Sequence, residues 1–180
     1  MIHATETWVI QDTRIRIPIP TISSPEAMLP NTLEASIDIA AAPEQVWSVV
    51  SDLKRIPEFS PQTLRMQPLG RTVHTGTWTV NLNKASGYVY PTTSRVVRFE
   101  PNKSIAFRMT ENRTVWSYTL EPGPDGGTRL VQRRDVPSGK LPWWLQKTID
   151  TVFGGEQPFE GALVDGMNET LGKIKRTVES

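Results

Sequence analysis

The stretch that decides the fold is IAAAPEQVWSVVSDLKRIPEFSP, Ile39 to Pro61. It opens as an amphipathic helix. Pro43 suits a first helical position, and Glu44 suits the positive end of the helix dipole. Val46, Val50 and Leu53, with Trp47, recur at helical spacing and make a core-facing stripe. Ala42 carries no side-chain acceptor, so the start is weakly specified. The helix then runs directly into Pro57, Phe59 and Pro61, a rigid apolar loop that must sit over something.

What it sits over follows from the segments on either side. TLEASIDIA, residues 32–40, alternates apolar and polar and reads as the first strand. From Thr63 to Arg134 the text is all strand: TLRMQPL, TWTVNLN, YPTTSRVVRF, SIAFRMT, TVWSYTL and TRLVQRR. Between them stand HTG, KASG, EPNK, ENR and EPGPDGG, turn chemistry that implies an antiparallel meander. The last segment, PFEGALVDGMNETLGKIKRTV, holds Phe159, Leu163, Met167, Leu171, Ile174 and Val178 at helical spacing behind Pro158. The order is strand, short helix, six strands, long helix. A flat seven-stranded sheet is too wide for one helix, whereas a twisted and bulged sheet curls around it. The expected fold is α+β: a seven-stranded antiparallel sheet gripping a long C-terminal helix. The helix after the first strand closes one end, and Pro57, Phe59 and Pro61 form the apolar rim of a mouth.

At 180 residues the chain is long enough for one domain with a sizeable core. That domain is expected over residues 32–180, behind an extended arm over 1–31. In the arm Ile15, Ile17 and Ile19 alternate with Arg14, Arg16, Pro18 and Pro20, and the prolines confine it to an edge or an arm. It is expected to lie along its own domain; the other reading is a reach to a second subunit in a homodimer. Lysines and arginines exceed acids by one, mixed along the chain, which speaks against a nucleic-acid-binding face. With no cysteine, thiol chemistry and disulfides are excluded. The N-terminus lacks the apolar run of a signal peptide and no segment has the apolar length of a membrane span, so a cytoplasmic protein is expected. No repeat at solenoid or propeller period is present.

The motifs APEQVWSVVSDLKRIPEFSP (42–61), EP (100–101), IAFR (105–108), WSYTLEP (116–122), GGTRL (126–130) and GMNETLGKIK (166–175) together resemble one family. It is the START-like, or SRPBCC, helix-grip superfamily, in its polyketide cyclase/dehydrase branch as found in actinobacteria. The resemblance covers roughly residues 33–178. It implies the helix-grip fold and an internal cavity, but not one chemistry. The superfamily includes aromatases and cyclases, lipid carriers and hormone receptors.

Strand parity proposes an inner wall. With Asn112–Arg113 as a turn, Met109 pairs with Trp116, Phe107 with Tyr118 and Ile105 with Leu120, all apolar on one face. With Pro101–Asn102 as a turn, Val96 pairs with Phe107, Ser94 with Met109 and Thr92 with Glu111, and Tyr90 continues that face. The wall then carries a polar seam of Tyr90, Thr92, Ser94, Tyr118 and Glu111. The same register turns Arg98 inward, and leaves Arg95 and Arg108 outside. One hairpin stays open. A three-residue loop over Ala85–Gly87 turns Trp78, Val80 and Leu82 inward; a two-residue loop turns Thr79, Asn81 and Asn83 inward.

Catalytic signatures are few. His3 and His74 are the only histidines, so no His/Cys metal site can be built, and no cofactor is expected. There is neither a nucleophile elbow nor a phosphate-binding glycine loop. The resemblance implies catalysis by enclosure: a flexible poly-β-ketone is held folded while tyrosine, arginine or glutamate groups polarise carbonyls or move protons. Tyr90, Tyr118 and Glu111 are the catalytic candidates. Thr92, Ser94, Val96, Phe107, Met109, Trp116, Phe159, Leu163 and Met167 are the ligand-binding candidates. In LPWWLQKTIDTVFGG (141–155), Trp143 and Trp144 are expected beside the mouth and Gly154–Gly155 at a hinge. Two functions are left. One is a cofactor-free cyclase, aromatase or dehydratase acting on a small hydrophobic, polyketide-like compound; the other is a carrier or sensor of such a compound or of a lipid. Neither calls for stable membrane insertion.

Overall fold

The computed structural model describes residues 32–85, 87–137, 147 and 156–180. The expectations for the arm over 1–31, for Trp143 and Trp144, and for Gly154–Gly155 lie outside the described residues. Within them the chain runs β1 (Thr32–Ile39), α1 (Pro43–Val50), a 3-10 turn (Leu53–Arg55) and α2 (Ile56–Phe59). Then come β2 (Thr63–Pro68), β3 (Trp78–Ala85), β4 (Tyr88–Glu100), β5 (Ser104–Met109), β6 (Val115–Pro122), β7 (Thr128–Asp135) and the 23-residue α3 (Glu156–Val178). The seven strands form one antiparallel sheet in the order β1-β7-β6-β5-β4-β3-β2. The α+β helix-grip expectation holds.

β1 and β2 follow each other in sequence but occupy opposite edges of the sheet. The chain crosses between them through α1 and α2, which is why this short apolar stretch organises the fold. Val46, Val49, Val50 and Leu53 are buried, as helical spacing requires. Trp47 meets Phe99 edge-on, with ring centroids 5.2 Å apart. The weak start at Ala42 is repaired by Gln45, whose side-chain oxygen accepts from the Ala42 N–H at 3.2 Å. Phe59 is not at the rim. It is 2% exposed in the core, with the Arg55 guanidinium over its ring. The loop is apolar because its aromatic anchors it, while Ile56 and Pro61 face the interior space.

α3 packs against β1 and β7 on one side and α1 and α2 on the other. Leu163, Met167, Leu171 and Ile174 are its buried stripe. Its last turns are tied to the end of β1: Lys175 Nζ donates to the Asp38 carbonyl at 2.6 Å, and Glu179 Oε1 accepts from the Ala40 N–H at 2.7 Å. Pro61 and Gln62 lie over α3 at Gly166, where an added Cβ would stand 3.6 Å from Pro61 Cγ. Among the described residues no helix is long and apolar enough to cross a membrane.

Two registers differ from expectation. β5 and β6 pair two residues away from the expected alignment, with Phe107 opposite Trp116 and Ile105 opposite Tyr118. The connection is longer than the two-residue turn, and the Asn112 side chain braces it by accepting from the Thr114 N–H and hydroxyl. A shift by two preserves facing, so the inner residues stay inner. Between β4 and β5, Ser94 does pair with Met109 and Val96 with Phe107. Beyond them a bulge between Val96 and Arg98 reverses the alternation. Arg98 is therefore exposed, and Phe99 packs against the core in its place.

Candidate functional site

The sheet and the N-terminal half of α3 do not meet across the whole concave face. They enclose a cavity of about 1020 Å³. Its apolar wall comes from Ile56 and Pro61, Met66 on β2, Phe107 and Met109 on β5, Trp116 and Tyr118 on β6, and Phe159, Leu163 and Met167 on α3. Two polar groups of different character interrupt this surface.

The first lies on β3 and β4. Ala85 pairs with Tyr88, so the hairpin connection has two residues, and Thr79, Asn81 and Asn83 turn inward. Trp78, Val80 and Leu82 point out. The apolar alternative loses because the connection length sets the register and the polar side chains then satisfy one another. The Thr79 hydroxyl donates to Asn81 Oδ1 at 2.9 Å and also meets the Ser94 hydroxyl. Asn83 Nδ2 donates to the Thr92 hydroxyl at 2.8 Å. Asn81 Nδ2 reaches Ser94 Oγ at 3.3 Å. Buried hydroxyls and amides that find partners in this way are tolerated at little net cost.

The second group lies on β6 and β7. Tyr118 stands opposite Gln132, and Trp116 opposite Arg134. Tyr118, Gln132 and Arg134 are buried and line the cavity. Gln132 Oε1 is the only buried side-chain nitrogen or oxygen among the described residues without a hydrogen-bond partner. Arg134 is 5% exposed; burial pushes its pKa down, while the charge of Glu160 on α3 works in the opposite direction. Burial alone pushes the Tyr118 phenol well above the ordinary tyrosine range, which keeps it a neutral donor.

Of the catalytic candidates, Tyr118 is therefore deep in the wall beside Gln132 and Arg134. Tyr90 and Glu111 are not brought to it. Both line the open end, where Tyr90 is partly exposed and its phenol is raised by burial. Glu111 is exposed, and one carboxylate oxygen accepts from the Thr93 N–H at 2.7 Å and the Thr93 hydroxyl at 3.0 Å. Among the ligand-binding candidates, Thr92, Phe107, Met109, Trp116, Phe159, Leu163 and Met167 line the cavity. Ser94 and Val96 do not. Ser94 is engaged with Thr79 and Asn81, and Val96 is buried in the solid end of the core. His74 sits exposed in the β2–β3 loop.

Sequence reasoning missed Gln132 and Arg134. The signal was present in TRLVQRRD. Pairing Leu130 with Leu120 as an inward apolar couple places Gln132 and Arg134 on the same face by alternation.

Tyr118 also carries a pH prediction. Its folded pKa is raised, so burial of the neutral phenol favours folding below the unfolded value of about 10 and that stability is lost as pH rises above it. Alkaline titration followed by circular dichroism should show unfolding setting in above about pH 10. In Tyr118→Phe the onset should move to higher pH. An identical onset in both proteins would show that other groups set the limit.

A family model described as polyketide cyclase/dehydrase and lipid transport matches residues 31–179. No curated protein matches. Among solved structures the chain is similar to the Zhui aromatase/cyclase of a Streptomyces species, at TM-score 0.59 and 20% identity over 82% of this chain and 94% of that one. It is also similar to the di-domain ARO/CYC BexL, at TM-score 0.64 and 20% identity over 84% of this chain, which spans 52% of that longer protein. A polyketide_cyc-like protein from Corynebacterium glutamicum matches at TM-score 0.56 and 26% identity, over 87% of this chain and 94% of the other. The two aromatase/cyclase matches show likeness of fold.

Proposed function

The chain belongs to the polyketide cyclase/dehydrase and lipid transport family, and on that footing we propose that it binds a small apolar, polyketide-like molecule in the cavity and promotes its cyclisation, aromatisation or dehydration with its own side chains. One observation carries this reading: Tyr118, Gln132 and Arg134 converge on one wall of an otherwise apolar cavity of about 1020 Å³. Such a wall accepts an oxygenated carbon chain and orients it.

The chemistry follows from the three groups. Enclosure folds a flexible chain so that its own carbon and carbonyl meet. The Tyr118 phenol, held neutral by burial, donates to a carbonyl oxygen. The proton leaving the adjacent carbon passes through solvent to the same carbonyl oxygen and gives an enol; as it leaves, negative charge builds on that oxygen, and the Arg134 cation stabilises it. Gln132 Oε1 accepts the O–H of an enol. The enol carbon then attacks a second carbonyl of the same molecule; a carbon–carbon bond forms, the enol oxygen becomes a carbonyl again, and its proton passes to the new alkoxide. Loss of that hydroxyl with a neighbouring hydrogen, as water, completes dehydration.

One observation favours a non-catalytic carrier or sensor instead. Among the described lining residues the only acid is Glu111, at the open end, and there is no imidazole. Titration with an environment-sensitive apolar fluorophore tests the shared premise. A single saturable site, displaced by a polycyclic phenol such as an anthraquinone, is expected. A folded protein with no saturable site would end both readings. Native mass spectrometry of protein from its own host would then show whether the retained compound leaves unchanged or altered.

A further inference from the structure

The outer face of the same sheet is divided in two. On β1 and β7 the exposed arginines are paired: Arg129 with Asp38 at 2.8 Å, and Arg133 with Asp135 at 3.0 Å and Glu34 at 3.9 Å. Residues 63–109, which make β2 to β5, hold seven basic residues and one acid, Glu100. Among the described residues none of those seven forms an ion pair. Arg65, Lys84, Arg95 and Arg108 all stand on exposed positions of this half.

The same half exposes an apolar ridge. Trp78, 45% exposed, and Val80 and Leu82 follow each other along β3, and Val89 continues them across the ladder from Lys84. Arg65 stands opposite Leu82 and Arg95 opposite Trp78, its guanidinium 5.8 Å from the ring centroid. The ridge ends at the β3–β4 hairpin tip, where Tyr88 is 71% exposed. Lys84 and Tyr88 also belong to the cavity mouth.

We propose that this ridge and hairpin tip dock on an anionic lipid surface and hold the mouth of the cavity against it. Unpaired cations flanking exposed apolar and aromatic side chains suit an interface that is negative at the headgroups and apolar beneath. The apolar groups stand on the outer side of a curled sheet and on a protruding tip. A deformable lipid layer accepts that shape, whereas a protein would need a matching hollow. The advantage of docking there rests on the reading of the cavity as an apolar ligand site: the ligand would pass between bilayer and cavity without crossing water.

Flotation of the full chain with vesicles tests the proposal. Binding is expected to vesicles of phosphatidylcholine and phosphatidylglycerol in equal parts, with little to phosphatidylcholine alone and release at high salt. Each cation near the surface is worth about fivefold in partition, so Arg65→Gln with Arg95→Gln should weaken binding roughly twenty-five-fold. Val89→Asp should weaken it as well. Lys103→Gln, in the turn at the far end of β4, should change it less than about twofold. Leu163→Trp, which narrows the cavity beside α3, should still float, so failure of the cavity reading and failure of the docking surface give different results. The proposal is overturned if neutral and anionic vesicles bind equally, or if the double arginine variant binds as well as the parent. It is equally overturned if the chain ignores vesicles but is retained by poly-glutamate, which points to an acidic protein, or if the arginine changes abolish self-association instead, which points to a second copy.

Discussion

Replacing Arg134 by methionine should slow turnover of a cyclising substrate by about two to three orders of magnitude while ligand binding changes far less. The reason is where the charge is needed. A neutral carbonyl gains little from a buried cation, but the oxygen that becomes negative during enolisation gains a great deal, and Arg134 is buried in the wall, where its charge is little screened. Tyr118→Phe should cost roughly a hundredfold, because it removes a donor and leaves the ring. Tyr90→Phe and Glu111→Gln, at the open end, should have smaller effects. In a carrier each tyrosine change should alter affinity by about 1 kcal/mol, the net worth of one neutral hydrogen bond, with no reaction to measure. Melting temperature is the control for Arg134→Met, since Glu160 loses the cation whose charge it faces. Full turnover in both Arg134→Met and Tyr118→Phe would remove this wall from the mechanism.

Narrowing the cavity from the helix side should have the other large effect. Leu163 is buried yet lines the open space, so tryptophan there has room to enter rather than neighbours to displace. Leu163→Trp should lower affinity for an apolar fluorophore about tenfold by narrowing the space beside α3, with only a small change in melting temperature. Two turns along α3, Leu171 belongs to the solid core and not to the wall. Leu171→Ala should do the reverse, costing about 2–5 kcal/mol of stability while a folded fraction binds normally. Calorimetry and fluorophore titration on the same two variants separate these outcomes. Loss of folding in Leu163→Trp, or retained binding, would mean that the helix does not border the ligand.

Much of this arrangement was legible in the chain. The spacing of Val46, Val50 and Leu53, and of Leu163, Met167, Leu171 and Ile174, marked two buried helix faces. Alternation marked the strands, and the placing of the short helix between the first two predicted the closed end. The inner facing of Phe107, Met109, Trp116 and Tyr118 survived an error of two residues in pairing, because an even shift keeps parity. The cavity's polar side was less legible. Arg98 was expected inside and lies outside because one bulge reverses everything beyond it. Trp78, Val80 and Leu82 were eligible for the interior on apolarity and lost it to Thr79, Asn81 and Asn83.

The division has a physical cause. Helix and strand periodicity arise from residues a few positions apart, whose facing is set by backbone geometry alone, so the sequence by itself determined the elements, their order and the apolar faces that drive the sheet to close on α3. Register, bulges and hairpin length are settled by competition among hydrogen bonds between strands, and by how buried amides and hydroxyls satisfy each other there. Only the tertiary structure could place Asn81 against Ser94 and withdraw Arg98, because each of those outcomes depends on partners from another strand.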